Sequence, residues 1–201
     1  MAEENKCLFC GIIDGSVPSL KVYEGKNVVA VLSIKPASKG HVLVIPKDHQ
    51  AYLHTLNGDS LFEMISAIRS ITVLLSQAFN PNGFNILNNM GPGAGQRVPH
   101  ACFEIVPRYE GDAIKLELPQ GEFKEQELVE AQKRILEISR DNTVKTLKAI
   151  KEGKVQASPE VKAEAEKALA QLEAAENPVE ASQKQYSNKL ENLLDKEEAK
   201  D

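Results

Sequence analysis

The front part of the chain alternates short apolar runs with turn residues, which is the pattern of an antiparallel sheet. Five runs predict strands, at 21–24, 27–34, 41–46, 84–89 and 100–107. The longest periodic segment runs from Ser60 to Phe79, with apolar residues at steps of three or four, and predicts a helix capped by Ser60. Five antiparallel strands with one long helix indicate an α+β domain.

The pattern changes behind Gly121, where Ala, Glu, Lys and Leu dominate. Helical spacing predicts about three helices there, over 122–152, 159–176 and 178–195. Two of these helices start with a capping residue before a proline, at Ser158–Pro159 and Asn177–Pro178. Their narrow apolar seams suit helix–helix contact. We therefore predict a compact domain over 1–119 and an all-α extension over 120–201.

Composition narrows the classes of function. The net charge is −5, and the absence of a clustered basic excess argues against binding of extended nucleic acid, while a single nucleotide remains compatible. No apolar run reaches the ~18 residues of a membrane span, and the segment Met1–Lys6 is acidic, so we expect no membrane partner and a cytoplasmic location. Three cysteines, two of them three residues apart, fit a reducing compartment and a metal knuckle better than a disulfide framework. We expect no organic cofactor.

The segment 95–108 carries the residues of greatest chemical interest. Side chains on a strand alternate between its two faces, so His100, Cys102 and Glu104 are expected to share one face. Ala101, Phe103 and Ile105 then share the other. The first face is predicted to carry chemistry and the second to join the core.

Four segments of the chain occur in the order found in the histidine-triad (HIT) family, and the front ~110 residues resemble that family. The segments are 7–13, 40–49, 87–89 and 95–108. The resemblance implies the HIT fold, a five-stranded antiparallel sheet with one long helix, and a homodimer whose sheets join across the two-fold axis. It also implies a nucleotide phosphoramidate or dinucleotide hydrolase, or a nucleotidyl transferase. In active relatives the motif is His-x-His-x-His, and its middle histidine attacks the α-phosphate.

In this chain two histidines of that motif are replaced. Cys102 occupies the position of the attacking histidine, and Glu104 occupies the third position. The resemblance further implies that a purine nucleotide or nucleoside contacts three groups of residues. They are an apolar base pocket (Leu8, Phe9, Ile12, Leu32, Ile34), a ribose contact (Ser33) and the phosphate side (Asn89, Gly95, Gln96, Arg97).

The chemistry of the replacements favours a loss of catalysis. A thiol with an ordinary pKa of about 8.5 is only a few per cent thiolate at neutral pH, although thiolate is a good nucleophile. Glu104 lies roughly 7 Å from Cys102 along the strand, where its charge disfavours the thiolate and opposes a phosphate. We therefore favour a nucleotide-binding protein with lost or reduced hydrolase or transferase activity. Two alternatives stay open: an active enzyme that uses Cys102 as nucleophile with Glu104 as base, and a scaffold whose helical tail binds a protein partner.

A second group of residues has the composition of a metal site. Cys7 and Cys10 form a knuckle before a short helical turn, and with His49 and His100 they supply two thiolates and two imidazoles. The resemblance gives these four positions to zinc in several relatives, so we predict a structural zinc ion. The same donors also accept nickel or iron, and ordinary thiols and histidines are the alternative.

Overall fold

The computed structural model describes residues 7–121 and 124–174. Contacts within the chain form two compact units that meet between Glu117 and Leu118. The predicted helix at 178–195 lies outside the described residues. The division into two domains, 1–119 and 120–201, stays a prediction, because the contact boundary marks only where packing changes.

The front unit contains a five-stranded antiparallel sheet, which confirms the predicted α+β fold. The strands are arranged in the order β1-β2-β3-β5-β4. Their bounds are β1 Lys21–Glu24, β2 Val28–Leu32, β3 Val42–Pro46, β4 Gly83–Leu87 and β5 Phe103–Arg108. The helices of this unit are α1 Leu8–Asp14 and α2 Gly58–Phe79, with 3-10 turns at Leu53–Thr55 and Pro92–Ala94. β1 and β4 are the two edge strands of the sheet, and the predicted homodimer stays a prediction.

The sheet buries apolar side chains on both faces. Successive side chains along each strand point to opposite faces, and one helix covers each face. On the face covered by α2 (the α2 face), Val42, Val44 and Ile105 pack against apolar residues of that helix. On the opposite face, covered by α1 (the α1 face), Val31 and Ile45 pack against α1. Full burial of each such side chain contributes about 1.5–3 kcal/mol. The site described below lies on the α1 face.

Helix α2 begins three residues earlier than predicted. Asn57 is its N-cap, and the Asn57 side-chain oxygen accepts a hydrogen bond of 2.8 Å from the Ser60 amide. The predicted cap, Ser60, is instead buried, and its hydroxyl donates to Asp48 Oδ2 at 3.1 Å. By length and composition alone α2 could cross a membrane. Its stripe Met64, Ala67, Ile68, Ile71 and Leu75 is buried against the sheet, which is the role of a core helix.

Strand β5 begins at Phe103, not at His100 as predicted. The His100 amide donates to Val98 O at 2.8 Å, and the Ala101 amide donates to Gln50 O at 2.6 Å. These bonds form a turn ahead of the strand ladder, so the predicted strand is shortened at its start. The predicted alternation of faces holds, since Phe103 and Ile105 face α2 while Cys102 packs on the α1 face.

The described part of the second unit, up to residue 174, contains two helices, α3 Glu125–Lys151 and α4 Pro159–Ala174. Ser158 Oγ accepts a hydrogen bond from the Val161 amide, which confirms the predicted cap of α4. Leu169 of α4 is buried, and the Arg140 guanidinium of α3 donates to Leu172 O at 2.8 Å near the end of α4. A cation beside the last carbonyls of a helix is favourable, so this bond supports the helix pair.

Candidate functional site

Four side chains of the types that hold metal ions meet at the N-terminal end of α1. One ligand atom from each of Cys7, Cys10, His49 and His100 lies within 4.8 Å of the others. Cys7 precedes α1 and Cys10 lies in its first turn, while His49 follows β3 and His100 lies in the turn before β5. Residues distant in the sequence are thus brought together by the sheet and by α1.

The orientation of His100 suits a metal ligand. Its Nε2–H donates to Pro46 O at 2.8 Å, because a carbonyl oxygen can only accept. The other nitrogen, Nδ1, therefore carries the lone pair, and it lies 3.5 Å from Cys7 Sγ and 3.7 Å from Cys10 Sγ. Burial, and then the charge of His49, lower the pKa of His100, against an opposing effect of the Pro46 hydrogen bond. A neutral imidazole held by a carbonyl is the usual state of a metal-bound histidine.

The cluster is joined to the core through Phe9. The Phe9 ring lies edge-on to the His100 ring, with ring centres 5.8 Å apart. His49 also lies edge-on to His100, at 5.1 Å. Phe9 and Ile12 are buried in the core of the α1 face. The four donors therefore lie directly beside the core that α1 forms on this face of the sheet.

Cys102 lies half-buried at the border of the same core. Its thiol lies 3.4 Å from Phe103 O, and Asn88 Nδ2 donates to Cys102 O at 2.9 Å. Burial raises the pKa of the Cys102 thiol far above its usual range, and the charge of Glu104 raises it further, while a hydrogen bond involving the Val44 backbone acts in the opposite direction. The neutral thiol is thus strongly favoured over the thiolate.

Glu104 forms a short contact with His41. His41 immediately precedes β3, two residues before Leu43, and Leu43 is directly opposite Glu104 on β5, so residues 41 and 104 are diagonal to one another. His41 Nε2 lies 3.1 Å from Glu104 Oε2. The Ala37 amide donates to His41 Nδ1 at 3.1 Å, which places the ring proton on Nε2.

The surroundings of Glu104 favour its charged form. The hydrogen-bonding contact with His41 lowers the pKa of Glu104 most, and burial opposes this. Electrostatic interactions with the His41 ring and with Arg97 lower the pKa of Glu104 further. Since the Glu104 side chain is 37% exposed, this carboxylate presents its charge to whatever binds on the α1 face.

The sequence predicts only a structural role for His41, because it lies on an apolar strand. The structure instead places its ring next to the Glu104 carboxylate. The signal that finds His41 is the register of β3 against β5, which places it diagonally across from Glu104. That register is set by three-dimensional pairing and is not written in either strand alone.

The predicted base-pocket residues lie in different surroundings. Phe9 and Ile12 are buried together under α1, whereas Leu8 and Ile34 are exposed. Leu32 packs on the α2 face, across the sheet from Phe9. Ser33, the predicted ribose contact, donates its amide hydrogen to His41 O at 2.9 Å and so lies beside the Glu104 partner. The nucleotide assignment of these residues stays a prediction.

The predicted phosphate-side residues belong to a tight loop before β5. Gln96 closes this loop: its Oε1 accepts a hydrogen bond from the Gly91 amide at 2.7 Å, and its Nε2 donates to Ala51 O at 2.8 Å. Gly95 has a φ of 86°, which favours glycine, and a Cβ there would lie 3.8 Å from Asn89 Nδ2. Arg97 is exposed. The loop places these four residues near one another, and their contact with a phosphate stays a prediction.

Comparison with protein families and known proteins gives consistent matches to the front unit. Residues 14–111 match the family model of the HIT domain. An uncharacterized HIT-like protein of Methanocaldococcus jannaschii is 42% identical over 129 residues, which is 64% of this chain and 98% of that protein. An adenosine 5'-monophosphoramidase of Schizosaccharomyces pombe is 39% identical over 102 residues, 51% of this chain and 74% of that enzyme.

Solved structures give the same result. A HIT family protein from Bacillus anthracis has a TM-score of 0.61 and 37% identity, covering 65% of this chain and 95% of that one. A Zn-bound histidine triad family protein from Mycobacterium smegmatis has a TM-score of 0.52 and 32% identity, covering 58% of this chain and 84% of that one. Both similarities extend over most of the related chain.

Proposed function

This chain belongs to the histidine-triad family, and from that premise we propose that it binds a purine nucleotide or nucleoside on the α1 face with little or no turnover. The observation that carries the proposal is the position of Cys102, half-buried on the α1 face and two residues from the carboxylate of Glu104. Relatives of this chain include an adenosine 5'-monophosphoramidase. In active relatives an imidazole stands at the position of Cys102, and a neutral thiol is a much weaker nucleophile.

Glu104 reduces the chemistry further. Phosphoryl and nucleotidyl transfer depend on positive or hydrogen-bonding groups that stabilise charge on the phosphate oxygens. Glu104 supplies a negative charge, which its contact with His41 maintains. The domain therefore keeps the fold and loses the electrostatics that the reaction needs.

We also propose that Cys7, Cys10, His49 and His100 hold a structural zinc ion. The donor set fits, because two thiols and two imidazoles converge and His100 Nε2–H is already bonded to Pro46 O. A Zn-bound relative supports the choice of metal. When bound, the ion would cross-link α1 to the sheet and take no part in a reaction step.

Mass spectrometry and calorimetry together test the proposed function. After single-turnover incubation with adenosine 5'-phosphoramidate, we expect the intact protein to show no nucleotidyl adduct. Calorimetry on the same protein should show binding of adenosine or AMP. An adduct that disappears in Cys102→Ala would instead establish the alternative, a Cys102 enzyme, and absence of all binding would remove the proposal.

A partner for the helical unit is a second proposal, favoured by one observation. Leu128, Ile135 and Ile138 form a stripe on α3 that is at least half exposed within the described part of the unit. Spacings of seven and three are those of a helix–helix seam. Paired Ile135→Lys and Ile138→Lys substitutions should abolish capture of a specific protein without changing ligand affinity, whereas an unchanged set of captured proteins would exclude this role.

Cytoplasmic location stays a prediction.

A further inference from the structure

We propose that the binding site on the α1 face selects ligands with no negative charge at the 5' carbon, so that its ligand is a purine nucleoside and not a nucleotide. Glu104 is the residue that sets this specificity, by accepting a hydrogen bond from the 5'-hydroxyl. The inference rests on the proposed function, because it takes the ligand to lie on the α1 face beside Cys102.

The position of Glu104 brings its carboxylate into contact with any ligand group that lies beside Cys102. It lies on β5, an interior strand of the sheet, between Leu43 of β3 and Leu87 of β4. Leu43, directly opposite Glu104, packs at the edge of the α1-face core. Ile105, which follows Glu104 in the chain, is buried on the α2 face. Glu104 and Cys102 therefore lie on the same side of the sheet, two residues apart. A ligand group that reaches Cys102 also meets the carboxylate.

His41 holds this carboxylate without supplying a compensating positive charge. The Ala37 amide occupies His41 Nδ1, so the ring offers a single proton, on Nε2, and that proton faces Glu104. In this tautomer the pair has a net negative charge. Arg97 acts on Glu104 only as the weakest of several contributions, and its side chain is exposed.

A phosphate and a hydroxyl respond in opposite ways to this site. A phosphate dianion brought beside Glu104 is repelled, and partial burial reduces the screening by water. A 5'-hydroxyl is uncharged and can donate to a carboxylate oxygen, which gives a charge-assisted hydrogen bond. The same residue thus opposes a nucleotide and favours its nucleoside.

Calorimetry with adenosine and AMP on the full-length protein tests this selection. We expect adenosine to bind at least about tenfold more tightly than AMP, a difference that decreases as salt is raised. Glu104→Gln keeps the oxygen that faces His41 but removes the charge, so the preference should fall to less than about threefold. Glu110→Gln is the matched control, because it removes one exposed carboxylate outside the site and should keep the full preference.

The outcomes separate this inference from the proposed function. Equal or tighter binding of AMP by the unmodified protein would overturn the nucleoside selection while leaving nucleotide binding intact. A preference for adenosine that persists in folded Glu104→Gln would also overturn the role of Glu104. Absence of heat with both compounds would remove the proposed function and this inference together. The comparison in the unmodified protein needs no variant, so it holds even if a substitution prevents folding.

Discussion

Replacing Cys102 and Glu104 together by histidine is expected to raise the hydrolysis of adenosine 5'-phosphoramidate by at least about a hundredfold. The double substitution restores an imidazole nucleophile at 102 and removes the negative charge at 104 that opposes the phosphate. The surrounding backbone is already in place, since Asn88 fixes Cys102 O and β5 is paired on both sides. Release of AMP measured by chromatography gives the rate.

Two further variants show which of the two substitutions raises the rate of hydrolysis. Glu104→His alone keeps the buried thiol and should gain less than about tenfold, while Cys102→Ala with Glu104→His has no nucleophile at position 102 and should stay at background. A thermal melt shows whether each variant is folded. An unmodified protein that already hydrolyses the substrate as fast as the double variant would refute the claim that catalysis has decayed.

Removing the metal is expected to lower the melting temperature of the front unit by at least about 10 °C. An ion present at about a thousand times its dissociation constant stabilises the folded state by about 4 kcal/mol, and in a unit of this size each kcal/mol shifts the melting temperature by about 4 °C or more. The loss is expected because Cys7, Cys10, His49 and His100 connect α1, β3 and the turn before β5. Melting with and without a chelator measures it.

Cysteine variants show whether this effect belongs to the cluster. Cys10→Ser removes a donor and should melt at the temperature of the chelated protein, with little bound zinc by elemental analysis. Cys102→Ser removes a thiol outside the cluster and should keep both the metal and the response to chelator. Equal melting temperatures with and without chelator, in a protein that contains no metal, would exclude the structural ion.

The sheet was predictable from the chain because each strand has its own local pattern. Short apolar runs bounded by turn residues give β2, β3 and β5, and a 3.6-residue period gives α2. The ends of these elements depend on contacts that no local pattern contains. Asn57 replaces Ser60 as the cap because Ser60 is buried against Asp48, and the turn at His100 forms through Gln50, fifty residues away.

The candidate site likewise contains residues that the sequence predicts and contacts that only the fold supplies. The four metal-ligating residues were predictable because their residue types and their spacing in the motifs are informative without coordinates. Their convergence within 4.8 Å is information that only the fold supplies. The contact between His41 and Glu104 was not predictable, because it depends on the diagonal register of β3 and β5. Leu32 and Phe9 are likewise separated because the Leu32 side chain lies on the α2 face of the sheet, whereas Phe9 lies on the α1 face.

The order of the strands has a consequence for synthesis of the chain. The last strand to leave the ribosome, β5, occupies an interior place between β3 and β4. Until Arg108 has been made, β3 has an open edge and the apolar stripe of α2 lacks Ile105, one of its partners. A nascent or prematurely terminated chain therefore exposes an unpaired strand edge next to a strongly apolar helix, the combination that recruits chaperones and promotes aggregation.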